Sequence, residues 1–494
     1  MRARTFVSIL LVLMIIAGAV VVGVTVRKRL GKEPPSPWEY VKQRPAATVH
    51  EDLYEGIEKF ESGPAVTEAC LKCHEDASFE VMNTSHWTWL SEKEVLMPGR
   101  DRPLAVGKKN IINNFCIALD SNWKRCTTCH VGYGWVDNSF DFGNPGNVDC
   151  LICHDQSGQY ARDFMTDNSL KEGVDLLAAA KSVGYPGRKN CGACHFYGGG
   201  GDAVKHGDID SSLGDPTPDL DVHMGKNNFS CVDCHATEKH RISGRAVSVN
   251  AEGMNELRCT DCHPARPHKQ ARLNDHIDAL ACQSCHVPTV ARGLATKVAW
   301  DWSQAGKDVG PDVSPHLYAK KKGAFIYEKN VVPEYFWFNG KMNRYVLGDK
   351  INPEPDGVTK LNYPLGGIED PDSRIWPFKV HRGKQIYDAK NRYLLVPKLF
   401  GKGGYWATYD WNLASKLGSE VVGLAYSGEY GFTETDMHWR LTHMVPEKGG
   451  ALQCTDCHGE GNRMDWEALG YGGDPAYIGG RKQKRLLVEK EGGL

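Results

Sequence analysis

Cys126-Thr-Thr-Cys129-His130 is one of eight segments in which two residues separate a pair of cysteines and a histidine follows at once. Sixteen of the 17 cysteines belong to such pairs: Cys70 and Cys73, Cys126 and Cys129, Cys150 and Cys153, Cys191 and Cys194, Cys231 and Cys234, Cys259 and Cys262, Cys282 and Cys285, and Cys454 and Cys457. The histidines that follow them are His74, His130, His154, His195, His235, His263, His286 and His458. Only Cys116 stands outside the pattern.

The histidine at a fixed place decides what these pairs bind. Zinc sites also use paired cysteines, but they do not need a histidine there. A disulfide framework would not produce eight identical spacings. Two thiols spaced in this way can bond the two vinyl groups of one haem, and the next histidine reaches its iron. The sequence therefore predicts eight covalently bound c-type haems.

The fold predicted around these haems is mainly α with much irregular structure, a multihaem cytochrome c fold whose core is largely porphyrin. Several motifs follow one another so closely in the chain that their haems should be nearly in contact. A helix is predicted around Leu170 to Val183. In the long gap before the eighth motif, extended and hairpin segments are predicted within residues 320–400, with a turn at Asn339-Gly340. A more helical stretch is predicted from Tyr405 to His443.

The chain divides into five predicted regions. Residues 1–30 carry an apolar run at 5–26 between basic residues, long enough for a transmembrane anchor, with a cleaved signal as the alternative. Residues 31–63 form a Pro-rich linker. Residues 64–290 hold the first seven motifs, and residues 291–450 form an extended cover on the haems, with an inserted second domain as the alternative. Residues 451–494 carry the eighth motif and the C-terminal tail.

The cellular location and the net charge of the chain restrict the partners that it can bind. The basic residues after the apolar run weakly favour a cytoplasmic body, but c-type haem attachment is completed outside the cytoplasm. The sequence thus predicts a periplasmic body anchored to the inner membrane by residues 5–26. With a formal charge of −2 and no basic block, the chain gives no sign of nucleic-acid binding. The oligomeric state is left open.

Each low-spin haem needs a second axial ligand, and 11 of the 19 histidines lie outside the motifs. This number would allow every haem to have two histidines, so counting alone does not require an open or lysine-ligated iron. His50 lies near the linker, and His316 and His438 are undecided. The distal ligands are predicted among His86, His206, His223, His240, His268, His276, His381 and His443.

The stretch Gly198-Gly-Gly-Gly-Asp-Ala-Val-Lys-His-Gly-Asp208 follows directly on the fourth motif. Its glycines are either a flexible loop or a way for the backbone to pass close to a porphyrin. Lys205 either pairs with a haem propionate or binds iron, for which its amine must be neutral. Cys116, shortly before Cys126 in the chain, is either a buried thiol or a reactive one.

Four strings together are specific: Ser85-His-Trp-Thr-Trp-Leu90, Gly107-Lys-Lys-Asn-Ile-Ile-Asn-Asn-Phe-Cys-Ile117, Cys126-Thr-Thr-Cys-His-Val-Gly-Tyr-Gly-Trp135 and the glycine-rich stretch above. Through them the chain resembles the octahaem tetrathionate reductase family of c-type cytochromes, from about Pro64 to Gly459. The resemblance implies seven electron-transfer haems with two histidines each and one catalytic haem at Cys126 and Cys129. It also implies that Lys205 ligates that haem and that Asp202 and Cys116 stand in the same pocket.

The predicted function is a haem-dependent reductase. Its small inorganic substrate is tetrathionate, nitrite or hydroxylamine, and its electrons come from a quinol-linked or soluble donor such as a cytochrome. Lys205, Asp202, Cys116 and His130 are the candidate catalytic residues. Two alternatives stay open: a membrane-tethered electron conduit without catalysis, and the oxidation of hydroxylamine or hydrazine.

Overall fold

The computed structural model describes residues 36–114, 119–163, 169–244, 256–310, 313–351 and 357–481. The predicted anchor at residues 5–26 and the thiol of Cys116 lie outside these ranges. Across the described residues, no helix is both long and apolar enough to cross a membrane. Two compact units meet in sequence between Arg44 and Pro45. In the first, Ser36 caps a single-turn 3-10 helix at Pro37–Tyr40.

The second unit contains many short helices separated by irregular chain. The α-helices are Gly63–Leu71, Ala77–Met82, Ser85–Thr88, Trp123–Cys126, Leu151–His154, Leu176–Lys181, Arg188–His195, Cys231–Cys234, Ala271–Asp275, Gln283–His286, Tyr405–Thr408, Trp411–Val422, Cys454–Cys457 and Pro475–Ile478. Further single turns are Glu51–Tyr54, Thr127–Cys129, Pro145–Asn147, Ser211–Gly214, Val222–Lys226, Cys259–Asp261, His276–Asp278, Trp302–Gln304 and Lys448–Gly450. Several of these turns coincide with the cysteine motifs, whose spacing brings both sulfurs to one side of a turn.

The helix predicted around Leu170 to Val183 is present but shorter. It covers Leu176–Lys181, because Asp175 caps it by accepting a hydrogen bond from the Ala178 backbone N–H at 2.9 Å. A glycine with positive φ, Gly173, precedes the cap. The local turn chemistry therefore sets the start of this helix later than its leucines and alanines alone suggest.

A seven-stranded sheet is the largest regular element of the described residues. In chain order its strands are β1 (Thr296–Asp301), β2 (Tyr318–Ala319), β3 (Gly323–Glu328), β4 (Glu334–Phe338), β5 (Thr359–Lys360), β6 (Arg374–Asp388) and β7 (Tyr430–Arg440). The order across the sheet is β2-β3-β1-β6-β7-β5, and β4 also pairs with β6. The β1–β6 and β5–β7 pairs are parallel and the others antiparallel. Two small ribbons add Thr237–Glu238 with Arg241–Ile242 and Met342–Arg344 with Asn362–Pro364.

The hairpin predicted at Asn339-Gly340 is wrong. The turn exists, with Gly340 at φ +93°, but the segments on its two sides do not pair with each other. β4 pairs with the start of β6, and Met342–Arg344 pairs with Asn362–Pro364. Partners distant in sequence thus outcompete the local pairing that the Asn-Gly turn favours.

The helical prediction for Tyr405 to His443 is wrong in its second half. Tyr405–Thr408 and Trp411–Val422 are helical, but β7 follows and pairs with β6 over its whole length. Phe432, Thr433, Thr435 and Trp439 are the β-branched and aromatic residues that suit a strand. Met437 and Trp439 of this strand pack against Val204, in the loop that carries Lys205.

One face of the β6–β7 pair, here called the Lys379 face, consists of Lys379, His381, Thr435, Met437 and Trp439. Lys379 lies opposite Trp439, and His381 lies opposite Met437, so their side chains share this face. All five residues are buried. Ile112 and Val204 pack with Met437 and Trp439 in one apolar cluster, which brings two segments from the first half of the chain onto the sheet.

Candidate active site

Seven of the eight motif histidines lie opposite a second histidine. In every pair the ring centroids are 6.1 to 6.3 Å apart. The pairs are His50 with His74, His86 with His195, His154 with His240, His223 with His263, His235 with His443, His268 with His286 and His276 with His458. The interplanar angles range from 9° to 76°, so ring stacking does not explain the constant separation.

A metal atom between the two rings accounts for it. Metal–imidazole nitrogen bonds are about 2.0–2.1 Å long in zinc sites, and one iron with bonds of similar length fits between rings at this separation. The outer nitrogens are held as such ligands require. The Nδ1 of His154 contacts the carbonyl of Gly184 at 2.9 Å, and that of His458 contacts the carboxylate of Asp474 at 2.6 Å.

The structure brings most of the predicted distal histidines to these places. His86, His223, His240, His268, His276 and His443 each lie opposite a motif histidine, and that they ligate iron stays a prediction. His50, which the sequence disfavoured because it is near the linker, lies opposite His74. His206 and His381 lie opposite no motif histidine of the described chain; the ring of His206 instead contacts that of Trp439, with centroids 5.1 Å apart.

His130, the histidine of the second motif, is in a different environment. Its Nε2 lies 2.7 Å from the backbone carbonyl oxygen of Trp87. Because a carbonyl only accepts, this nitrogen must carry the proton and donate. The ring is fully buried among Trp87, Trp89 and Trp135. Burial lowers the pKa of His130 to about 3, so the ring is neutral and its Nε2 is already occupied.

Lys205 is the residue best suited to replace His130 as a ligand of the second-motif iron. The residue is half-buried by solvent exposure, and desolvation of its amine lowers the pKa of Lys205 to about 8, with the charge of Lys108 as the second cause. The negative form of Cys129 opposes this shift, which places the Lys205 amine within electrostatic range of the second motif. A side chain at Gly198 would come within 3.3 Å of the Lys205 Cδ, so this glycine leaves room for the lysine to pass.

A second lysine, Lys379, holds the backbone of the Lys205 loop. Its Nζ donates to the carbonyl oxygens of Val204 at 2.9 Å, Lys205 at 3.1 Å and His206 at 3.4 Å. Its Nζ also lies 2.6 Å from the hydroxyl of Thr296, which in turn donates to the carbonyls on both sides of the loop, those of Ala203 and His206. This clamp fixes the direction in which the Lys205 side chain leaves the loop.

Sequence reasoning missed this clamp and the role of Trp87. A lone lysine in a strand-like segment is normally expected to be solvent-exposed, and Lys379 is only 2% exposed. The backbone carbonyl of Trp87 has no signature in a sequence. Both features depend on contacts between segments that are distant in the chain.

The other predicted catalytic residues are Asp202 and Cys116, and within the described residues Asp202 makes no hydrogen bond to the second motif. Asp202 is half-buried, and its Oδ1 accepts from the backbone N–H of Ser211 at 3.0 Å, so it stabilises the turn after the loop. Cys116 lies outside the described residues. Asp208 is buried and its Oδ2 accepts from the backbone of Thr442 and His443 and from the His443 Nδ1. The end of the loop thus orients a histidine of the His235–His443 pair.

Contacts between cysteine sulfurs connect the motifs in space. A hydrogen bond with Cys194 is the main cause that lowers the pKa of Cys129, so the second motif adjoins the fourth. The same kind of contact joins Cys70 with Cys150, Cys191 with Cys231, and Cys259 with Cys282. These thiols stand for the thioether sulfurs of attached haems. The second motif is therefore adjacent to the fourth through Cys129 and Cys194, and the fourth is adjacent to the fifth through Cys191 and Cys231.

Eight attachment motifs with seven opposed histidine pairs define a multihaem c-type cytochrome. A family model described as bacterial cytochrome c matches residues 297–461, from β1 to just beyond the eighth motif. The crystal structure of octahaem cytochrome c from Shewanella oneidensis is similar, with a TM-score of 0.81 and 50% sequence identity. The similarity covers 87% of this chain and 98% of that one. The chain belongs to the octahaem cytochrome c family and carries eight covalently bound c-type haems.

A curated protein from Archaeoglobus fulgidus, described there as uncharacterized, is 27% identical over 249 residues. The match covers 40% of this chain and 81% of that protein.

Proposed function

We propose that the chain is a periplasmic multi-electron reductase whose catalytic haem is attached at Cys126 and Cys129 and ligated by Lys205. Its substrate is tetrathionate, nitrite or hydroxylamine. Two electrons split tetrathionate into two thiosulfates, six reduce nitrite to ammonium and two reduce hydroxylamine to ammonium. The electrons come from a quinol-linked or soluble donor and pass along the seven haems that lie between histidine pairs.

The observation that carries this proposal is the hydrogen bond between His130 and the Trp87 carbonyl. Every other motif histidine has a second histidine opposite it, whereas His130 is turned to a backbone oxygen. A haem on the second motif would therefore be ligated by a residue other than His130, and it would supply the iron at which substrate is reduced. Lys205 is suited to be that ligand, because it is half-buried, its backbone carbonyl is held by Lys379, and its amine is within electrostatic range of Cys129.

The protein lowers the cost of using a lysine. A free lysine has a pKa of about 10.4 and must lose its proton before it can bind a metal. Burial and the neighbouring charge of Lys108 lower the pKa of Lys205 to about 8. The amine thus needs little further help to become neutral at physiological pH, and a nearby metal cation supplies that help.

The bound haem supplies electrons and a Lewis-acidic iron, and the chain supplies protons and position. We assign Asp202 as a proton carrier and Cys116 as the acceptor of a sulfenyl group when the substrate is a polythionate. Both roles rest on the family resemblance. The neighbouring sulfurs of Cys129 and Cys194 support entry of electrons into this site from the fourth motif.

Turnover assays on the purified holoprotein test the proposal. A reduced dye serves as donor, and tetrathionate, nitrite and hydroxylamine are compared in the wild type and in Lys205→Ala. We expect reduction of at least one substrate by the wild type and a loss of more than about 100-fold in Lys205→Ala. Lys226→Ala, at an exposed lysine paired with Glu447, is the matched control and should keep full activity.

Spectroscopy of the ferric protein separates this function from a simple electron conduit. One haem with a lysine ligand, absent in Lys205→Ala, is expected beside seven haems with two histidines. If all eight haems show two histidine ligands and no substrate is turned over, the conduit is the correct function. Oxidation of hydroxylamine with an oxidised dye, faster than its reduction, would reverse the assigned direction.

A further inference from the structure

His381 is a buried side chain whose ring nitrogens make no hydrogen bond within the described structure. It is fully buried in β6. A neutral imidazole offers one donor and one acceptor. Leaving a buried donor or acceptor unpaired destabilises the fold unless a ligand satisfies it. The ring also lies opposite no motif histidine of the described chain, so the pairing that explains the other seven sites does not explain this one.

Its position is next to the Lys205 loop. His381 shares the Lys379 face with Lys379 itself, two residues away along β6, which is about 7 Å. The ammonium of Lys379 contacts three consecutive carbonyl oxygens of that loop. From the other side, Asn114 donates to the His381 carbonyl oxygen at 2.6 Å. The Oδ1 of Asn114 is also buried and also has no partner in the described structure.

The surroundings of His381 are positively charged. Lys379 and Lys297 are 2% and 4% exposed. After burial, these two lysines are the next largest causes that lower the pKa of His381, followed more weakly by Arg382. The hydrogen bonds that hold the Lys379 ammonium to the loop go to neutral oxygens, three carbonyls and one hydroxyl. The carboxylate of Asp208 acts on Lys379 from farther away, while its hydrogen bonds go to Thr442 and His443.

Burial lowers the pKa of Lys379 well below its ordinary value, so a nearby anion would stabilise its charged form. Two buried lysines beside an unpaired imidazole therefore favour a negatively charged ligand. A ring N–H can donate to an anionic oxygen, and such charge-assisted bonds are roughly twice as strong as neutral ones. The Nζ of Lys297 lies 3.6 Å from the centre of the Trp300 ring. We therefore expect Lys297 to attract the anion by its charge and not to bind it directly.

We propose that His381, flanked by Lys379 and Lys297, binds a small oxyanion, and that this is where the reductase proposed above holds an anionic substrate. The inference rests on that function for the identity of the ligand. It distinguishes among the candidate substrates, because nitrite and the sulfonate ends of tetrathionate carry negative oxygens and hydroxylamine does not. His381 is then a substrate-binding residue in place of the haem ligand that the sequence predicted.

Equilibrium binding to the oxidised holoprotein tests the site without turnover. Nitrite and tetrathionate are titrated by calorimetry into the wild type, His381→Leu and His381→Gln. We expect the Kd of both anions to rise about 10- to 100-fold in His381→Leu, the loss of one hydrogen bond to a charged group. His381→Gln keeps an N–H donor and should recover part of the affinity, and Lys297→Met should weaken binding to a smaller extent.

His438→Leu is the matched control. His438 is also a buried histidine, on β7, but it faces the opposite side of the sheet and contacts Asn362. It should leave the Kd of both anions unchanged. Unchanged anion affinity in His381→Leu, or an equal loss in His438→Leu, would overturn the proposal. If His381→Leu does not assemble, His381→Gln and Lys297→Met decide, since affinity unchanged in both has the same consequence.

Turnover separates this inference from the function on which it rests. In an active enzyme, His381→Leu should raise the KM for nitrite and tetrathionate and leave the KM for hydroxylamine unchanged. A wild type that reduces none of the three, yet binds nitrite through His381, would disprove the reductase and support the anion site. If the wild type reduces nitrite and His381→Leu has the same KM for nitrite, the reductase is supported and the anion site is disproved.

Discussion

The second motif and the fourth motif have the same local sequence pattern and opposite outcomes. At the fourth motif, His195 faces His86 with ring centroids 6.2 Å apart. At the second, His130 donates to the Trp87 carbonyl, and Lys205 from a later loop lies nearby. Trp87 and His86 are adjacent in the chain, so one short helix, Ser85–Thr88, places a histidine opposite His195 and a backbone carbonyl against His130.

The comparison shows that an attachment motif determines where a haem is bound and leaves its axial ligands to tertiary structure. The residues opposite the motifs come from other segments, close in sequence for His268 and His286 and far away for His235 and His443. We call a site closed where those segments place a second histidine opposite the motif histidine, and open where they do not. Four experiments test this contrast.

The largest contrast is expected between His86→Ala and His130→Phe. His86→Ala removes one ring of a pair and should convert one low-spin haem to a high-spin one, with at least about a tenfold loss of activity, because the affected haem adjoins the catalytic site. His130→Phe should leave the number of low-spin haems unchanged, because in the proposed site His130 donates to the Trp87 carbonyl and does not bind iron. Electron paramagnetic resonance of the ferric proteins measures both. Loss of a low-spin signal in His130→Phe would mean that His130 does bind iron.

Lys379→Met should loosen the catalytic loop. The variant leaves three loop carbonyls and the Thr296 hydroxyl without their buried donor, at a cost of about 1.5–3 kcal/mol in the free energy of unfolding. We also expect the lysine-ligand signal of the ferric protein to weaken, which chemical denaturation alone would not reveal. Lys297→Met is the control, because this buried lysine lies over the Trp300 ring and its loss should keep the signal. An intact signal in Lys379→Met would show that the clamp does not position Lys205.

Asp208→Asn should shift the reduction potential of the haem at the His235–His443 pair and leave that of the haem on the second motif unchanged. The carboxylate accepts a hydrogen bond from the His443 Nδ1, which makes that ring more electron-donating and stabilises the ferric state. Its loss should raise the reduction potential of one haem and lower the free energy of unfolding by about 1–2 kcal/mol. Spectroelectrochemical titration measures the shift. Glu80→Gln, beside His240, should move a different haem in the same direction; a shift of the lysine-ligated haem in either variant would contradict the assignment.

The smallest effect is expected from pH. The pKa of Lys205 is lowered by burial to about 8, so the amine is neutral above that pH and protonated below it. Iron competes with the proton and lowers the transition further, so lysine ligation should be lost only on acidification below pH 8. A ferric spectrum recorded from alkaline to mildly acid pH detects the change. A transition at a pH above that pKa, or one that persists in Lys205→Ala, would belong to another group.

The sequence was sufficient where chemistry is local. Eight cysteine pairs with a fixed histidine predicted the haems, and six of the eight predicted distal histidines lie opposite a motif histidine. It was insufficient where pairing is distant. β7 was taken for a helix because its partner β6 is far away, and the Asn339-Gly340 turn did not reveal that its flanking strands pair elsewhere. His50 and His381 show the same limit, since nothing in the chain near them reveals that His50 lies opposite His74 or that His381 lies opposite no motif histidine of the described chain.

The hydrogen bond of His130 also makes the ligand of the second haem a reporter of folding. In an unfolded chain His130 is the nearest imidazole to a haem on Cys126 and Cys129, while Lys205 lies beyond the third and fourth motifs. Closing so long a loop costs entropy that only the folded contacts repay. If Lys205 is the native ligand, as proposed, His130 would be the kinetically favoured ligand during refolding. Refolding of the holoprotein would then include an exchange of the histidine for the lysine, completed when His130 reaches the Trp87 carbonyl.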